Sequence, residues 1–247
     1  MIRYCMIIEY DGKGYFGWQR QKNGPSIQGS IERSIFLLTG ETVTVHGAGR
    51  TDSGVHALGQ VAHFDLSREW IPEILCNALN AYLRISDTIS ILNLKVVDKQ
   101  FHARFSAIRR SYIYRIITRK SPLTLEKGRA WLIPKVLDCE KMRIAAQYLI
   151  GRHDFTTFRS VHCQSLSPIR TIDYFDVSLF KDLIEIRVVA RSFLHTQVRS
   201  FVGSLKLVGE GKWTPTDLKM ALQSQDRKKC GPLSPSEGLY FYSVEYY

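Results

Sequence analysis

The sequence predicts an α+β protein in which the element order β-α-β-β-α-β occurs twice. Short runs rich in β-branched and aromatic residues alternate along the chain with segments whose apolar residues recur at helical spacing. Gly, Pro, Asp and Ser punctuate the boundaries. The composition is that of a globular chain, 45% hydrophobic and 23% charged over 247 residues. Such a chain buries a sizeable core without disulfide or metal support, and the composition excludes a disordered chain, a collagen and a membrane bundle.

Residues 3–10 read as a strand, followed by a polar, Gly-rich loop from Asp11 to Pro25. Ser26 is the N-cap of a helix over 27–39, which carries Ile27, Ile31, Ile35 and Leu38 on one side. Residues 42–47 and 60–65 read as strands around a loop at 48–59. A helix over 71–83 presents Ile74, Leu75, Ala78, Leu79 and Tyr82 as one face, and 88–97 closes the half as a strand. The second half repeats the order with insertions. It has a strand at 111–118, a helix at 138–149, and a hairpin of 172–180 and 183–190 turning at Lys181-Asp182. Helices follow at 195–208 and near 215–223, then a strand at 239–246. Each half, 1–105 and 106–247, thus has the element order of a ferredoxin-like unit. The duplication rests on element order, because the two halves do not resemble each other residue by residue.

Charge separates the halves. Lys plus Arg number 34 against 23 Asp plus Glu, a net charge of +11. Residues 1–105 hold 11 basic and 10 acidic side chains (+1), leaving 23 and 13 (+10) for 106–247. Between 104 and 129, Arg104, Arg109, Arg110, Arg115, Arg119, Lys120, Lys127 and Arg129 face a single acid, Glu126. Phe105, Tyr112 and Tyr114 are interleaved with them. This favours a polyanionic partner, nucleic acid before an anionic membrane: the cations meet phosphates and the rings offer stacking faces to unpaired bases. The five cysteines, Cys5, Cys76, Cys139, Cys163 and Cys230, show no C-x-x-C spacing, so neither a zinc site nor a redox framework is visible. The N-terminus charges up too early for a signal peptide, and no apolar run approaches a membrane span, so the expected compartment is the cytoplasm.

The stretch 47–60, Gly-Ala-Gly-Arg-Thr-Asp-Ser-Gly-Val-His-Ala-Leu-Gly-Gln, holds four glycines between two strands, a composition that lets backbone approach a ligand. It lacks the Gly-Lys-Ser/Thr ending of a P-loop. Asp52 and Arg50 read in two ways from the residues alone: a turn in which Asp52 caps a backbone N–H and pairs with Arg50, or a carboxylate presented for chemistry. His56, His63 and His102 lack the spacing of a metal site, there is no G-x-S-x-G elbow, and no second carboxylate stands near Asp52 as a glycosidase pair requires.

The run from Gly49 to His56, with Gly59-Gln60-Val61, resembles the catalytic motif of the TruA family of tRNA pseudouridine synthases. The resemblance extends to Glu9-Tyr10-Asp11-Gly12 with Tyr15–Gln21, to Phe101–Ala107 leading into Tyr112-Ile113-Tyr114-Arg115, and to Gly151, His153-Asp154-Phe155 and Phe158. It continues through Ser192-Phe193-Leu194, Val198-Arg199 and Val202-Gly203. The chain departs from the family pattern at His195-Thr196-Gln197 and at Ser111.

The resemblance implies two ferredoxin-like halves joined into one mixed, mainly antiparallel sheet, with helices packed on it and a central RNA-binding cleft. It implies isomerisation of uridine to pseudouridine at positions 38, 39 and/or 40 of the tRNA anticodon arm, without a cofactor, by a homodimer. By the same match Asp52 is the nucleophile acting on a flipped-out base, and Arg50 supports the extruded nucleotide. Tyr112 stacks on the uracil and moves its proton, and Arg199 pairs with the aspartate to keep it ionised. Arg109 and Arg110 in the basic half are assigned to substrate phosphates. The alternative is a non-catalytic RNA-binding protein of two ferredoxin-like modules, from which the Arg-Thr-Asp loop discriminates.

Overall fold

Alternation along the first strand sets the inner face of the N-terminal half. In β1 (Ile2–Tyr10), Tyr4, Met6, Ile8 and Tyr10 are buried while Ile7 and Glu9 face solvent. The computed structural model describes the backbone of residues 1–247 and every side chain except that of Ser86. The chain divides into two units, Met1–Ile108 with Tyr240–Tyr247, and Arg109–Leu239. The class is α+β, with mixed, mainly antiparallel strand pairing.

The first unit continues from β1 through α1 (Ile27–Thr39), β2 (His46–Gly47), β3 (His56–Leu66), α2 (Pro72–Ser86) and β4 (Ile89–Val97). β1 lies between β4 and β3, antiparallel to both, and β2 is antiparallel to β3. The order β4-β1-β3-β2 is the split β-α-β arrangement that the element order predicts. The chain's last strand, β10 (Leu239–Glu245), pairs in parallel with the start of β3 through Tyr240↔His56 and Phe241↔Ala57. Helix α1 has the expected bounds: the Ser26 hydroxyl accepts from Gly29 N–H at one end, and Gly40 closes the other at φ 74°. Ile27, Ile31 and Ile35 are fully buried, each worth about 1.5–3 kcal/mol by removal from water.

Two boundaries differ from expectation. The strand at 42–47 is reduced to His46–Gly47, because Val45 N–H donates to Glu32 Oε1 on α1 instead of to a strand. β3 starts at His56 rather than 60, drawn into pairing by Tyr10 and by β10. The expected loop 48–59 therefore shortens to 48–55. In α2 the core face is Leu75, Leu79 and Leu83, whereas Ile74 and Tyr82 are 55% and 36% exposed. The Asn80 side chain selects that rotation: it donates to the carbonyl and accepts from the N–H of Ile91 in β4, both at 2.8 Å.

The second unit contains β5 (Arg109–Ile117), β6 (Trp131–Leu132), α3 (Cys139–Gln147), β7 (Gly151–Asp154), β8 (Ile169–Phe180) and β9 (Leu183–Ala190), then α4 (Gln197–Gly209) and α5 (Pro215–Ser224). Its strands run β5-β9-β8-β7, all antiparallel, with β6 parallel to β5. The predicted hairpin turn is in place, with Lys181 at φ 57°. The short strands β6 and β7 carry no alternation of their own and exist through their partners. α4 buries Phe201 against Phe155, Phe158 and Phe175, with centroids 5.0–5.6 Å apart. α5 starts with a capping box between Thr214 and Asp217. No helix is long and apolar enough to cross a membrane among the described residues.

β2 and β3 also bring His46 and His63 together, with ring centroids 5.0 Å apart, and His102 packs 4.6 Å from His63. His56 is elsewhere, stacked on Tyr240. Among the described residues no group of three or more His, Cys, Asp or Glu is placed to hold a metal ion. Burial, then the charges of His102, Arg3 and His46, lowers His63 to about 4, with Asp65 opposing. The folded protein thus holds His63 neutral where the unfolded chain takes up a proton, below about pH 6.5. Stability from this group is present above pH 6.5 and is lost as pH falls toward 4, by about 2–3 kcal/mol. Urea unfolding of the parent and His63→Gln across pH 4–7 measures it: the variant's stability is expected to fall less steeply in that window.

Candidate active site

The loop 48–55 is held by the N-terminal segment and by β3. Gly17 sits at φ 87°, and a Cβ there would lie 2.4 Å from the Thr51 carbonyl oxygen and 3.1 Å from the Asp52 carbonyl carbon. Only glycine allows this approach without moving the backbone that carries Asp52. Gly12 is equally close to the far end of the loop, 2.1 Å from the Val55 oxygen by the same measure. These contacts explain why two glycines of the 11–25 loop stand where they do.

Hydrogen bonds complete the frame. Trp18 N–H donates to the Thr51 carbonyl at 3.0 Å, and the Ser53 hydroxyl donates to the Tyr15 carbonyl at 3.0 Å. Gln60 Nε2 donates to the Gly49 carbonyl at 2.8 Å, and Ala48 N–H donates to the Val61 carbonyl at 2.7 Å. The Tyr10 and Thr51 hydroxyls share a buried hydrogen bond of 2.8 Å. Burial pushes the Tyr10 hydroxyl up to about 12, against the bonds from Thr51 and Gln60, so it stays protonated in this frame. The turn itself is closed by Val55 N–H donating to the Asp52 carbonyl, with Gly54 at φ 76°.

Asp52 is half-buried at the turn and Arg50 is exposed beside it. Arg50 Nε donates to Gln19 Oε1 at 3.1 Å, and Gln19 Nε2 donates to Gln28 Oε1, whose own amide donates to Glu32 Oε1, both at 2.8 Å. A chain of side chains thus runs from α1 to the base of the guanidinium. The sequence signalled Gln19 only as part of a motif; its task of fixing Arg50 becomes visible in three dimensions. His56 Nδ1 accepts from Gly12 N–H at 3.0 Å and lies 3.1 Å from Asp11 Oδ1.

The remaining assigned residues belong to the second unit. Tyr112, in β5, is 8% exposed and meets Phe193 edge-on, with centroids 5.1 Å apart at 88°. Phe193, one of the motif residues, thus packs against this ring. Arg199, in the first turn of α4, donates from Nε to the Ser234 carbonyl at 2.8 Å. Arg109 is exposed, 3.9 Å from Asp173. The charge run predicts Arg110 as a phosphate-facing cation, and the structure differs. Arg110 is buried, and its Nη1 donates to the Arg191 carbonyl. Alternation in β5 turns neighbouring residues to opposite faces, so Arg109 and Arg110 do not share a surface.

Comparison with known proteins bears on the family. Residues 6–106 and 145–247 match the sequence profile of the tRNA pseudouridine synthases. The chain is 64% identical over 247 residues to a tRNA pseudouridine synthase A of Sinorhizobium fredii and 62% identical to that of Rhizobium meliloti, covering all of both chains in each case. It is 55% identical over 246 residues to that of Beijerinckia indica, covering 100% of this chain and 94% of the relative. With the Gly-Arg-Thr-Asp loop, the paired glycine loop beneath it and similarity over the full length, the chain belongs to the tRNA pseudouridine synthase family and is an isomerase.

Proposed function

We propose that the protein converts uridine to pseudouridine at positions 38, 39 and/or 40 of the tRNA anticodon stem-loop, with Asp52 as nucleophile on a base turned out of its stack. The observation that carries this reading is the fixation of the Asp52 backbone by Gly17, Trp18 and Tyr15 at one carboxylate in a Gly-rich loop. A turn residue without a task does not need so many anchors, whereas a nucleophile gains from a preset position. The reaction breaks N1–C1′ and forms C5–C1′; C5 gives up one proton and N1 gains one, so no electrons enter or leave. A carboxylate that forms and releases a covalent bond divides this into two easier steps. Turning the uridine out costs a few kcal/mol, and Arg50, exposed and tethered by Gln19, is the group assigned to support the extruded nucleotide.

Tyr112 is assigned to stack on the uracil and to take the C5 proton, and Arg199 to keep the nucleophile ionised; the motif match supports both roles. Exposed Arg109 is assigned to a phosphate, whereas the burial of Arg110 favours a role in tying β5 to the segment at 191. A homodimer in the cytoplasm is the assembly and compartment that the family resemblance supports. The test is incubation with unmodified tRNA transcripts followed by site-resolved pseudouridine mapping. Pseudouridine within 38–40 is the expected product; its absence, or its appearance only elsewhere in the tRNA, overturns the proposed specificity.

A further inference from the structure

The basic, aromatic-rich segment that suggested nucleic acid contains three rings, and the fold treats them differently. Tyr114 is fully buried, with its hydroxyl donating to the Pro235 carbonyl, and Tyr112 is nearly so. Phe105 is 71% exposed. A single exposed aromatic ring is ordinary; what sets this one apart is the rigidity of its base. Arg104 N–H and Phe105 N–H both donate to His102 Nδ1, at 3.1 and 3.4 Å. His102 N–H donates to the Ser106 hydroxyl, and Ser106 N–H donates to the His102 carbonyl. Buried Ala103 is held from both sides, its N–H donating to His63 Nδ1 at 3.1 Å and its carbonyl accepting from the Tyr246 hydroxyl at 2.7 Å. Arg3 Nη1 donates to the Phe101 carbonyl. The turn at 101–106 is therefore fixed at nearly every residue while its Phe ring remains in water.

One guanidinium stands beside the ring. Arg104 stands with its guanidinium carbon 5.5 Å from the ring centroid, and the His102 ring lies 4.4 Å away at 34°. No Asp or Glu occurs between Asp98 and Glu126. A rigid exposed ring beside a guanidinium, in a stretch without acids, has the chemistry of a stacking site for an unpaired base of a polyanion. We propose that Phe105 stacks on an unpaired base of the bound tRNA, a base separate from the uridine that reacts. This inference rests on tRNA being the substrate.

Equilibrium binding of tRNA at several salt concentrations tests it, with the parent, Phe105→Leu and Phe105→Trp. Phe105→Leu is expected to raise Kd about tenfold, within the range of one lost stacking contact. The slope of log Kd against log salt should not change, because that slope counts neutralised phosphates and not rings. Phe105→Trp should restore affinity, and its fluorescence, taken as the difference from the parent, should be quenched by tRNA. A Phe105→Leu protein with parental affinity, or an added Trp indifferent to tRNA, overturns the proposal. So does a weakening explained by a change of molecular mass in light scattering, which would assign the ring to contact with a second copy of the chain. A parent protein that binds no tRNA overturns the substrate reading itself, and with it this site. Because Phe105 is exposed, the melting temperature of Phe105→Leu should match that of the parent; should it not, the Trp variant still decides.

Discussion

Asp52→Asn is expected to fold, to bind tRNA as the parent does, and to form no measurable pseudouridine. Asparagine keeps the size and much of the hydrogen-bonding capacity of aspartate but not its nucleophilic carboxylate. The loop is anchored by main-chain groups of Thr51, Asp52, Gly49 and Tyr15, so the stability change should not exceed about 1 kcal/mol, as for a turn or cap residue. Affinity should persist because most of it comes from phosphate contacts remote from one side chain. The rate should drop by about 10⁴-fold or more, the scale on which enzymes lose activity without their nucleophile. Melting temperature, tRNA binding and pseudouridine yield, measured on one preparation, separate the cases. A folded, tRNA-binding Asp52→Asn protein with substantial yield would overturn the mechanism and favour the two-module RNA-binding protein instead.

Tyr112→Phe should produce the second largest effect. The substitution keeps the ring, its burial and its edge-on contact with Phe193, and removes only the hydroxyl. With the hydroxyl moving the C5 proton, single-turnover rates should fall by about 10²–10⁴-fold, the usual span for a general acid–base group. Affinity for tRNA should stay within about twofold, since phosphate contacts are untouched. The combination of a low rate and unchanged binding is the diagnostic result. Turnover near the parental rate would leave Tyr112 with stacking and packing as its only duties.

The two positions differ in how much of their surroundings could be read from the chain. Helix α1 was legible to the residue because its signals are local: Ser26 caps it, Ile27, Ile31 and Ile35 repeat at helical spacing, and Gly40 ends it. The Asp52 loop was legible as a Gly-rich motif, and the family likewise, since ordered motifs persist along the whole sequence. The α2 face was not, because Ile74 and Leu75 satisfy the same periodicity and only the Asn80 bonds to Ile91 choose between the two rotations. Nor was the fate of Arg110, because a run of charges says nothing about which strand face each one occupies.

By itself, then, the sequence determined the order of the longer elements, the family and the loop that carries Asp52, all of which depend on residues close together in the chain or on motifs kept in order; the short strands β6 and β7 were left to tertiary pairing. Tertiary structure decided where β2 ends and β3 begins, which cation is buried, and why Gly17 must be glycine. Each of those outcomes depends on a partner far along the chain: Glu32 for Val45, Tyr240 for His56, Arg191 for Arg110, and Thr51 for Gly17. A local pattern specifies what a segment is able to form. The hydrogen bonds and close contacts that select one outcome arise only when folding brings distant backbone groups within about 3 Å of one another.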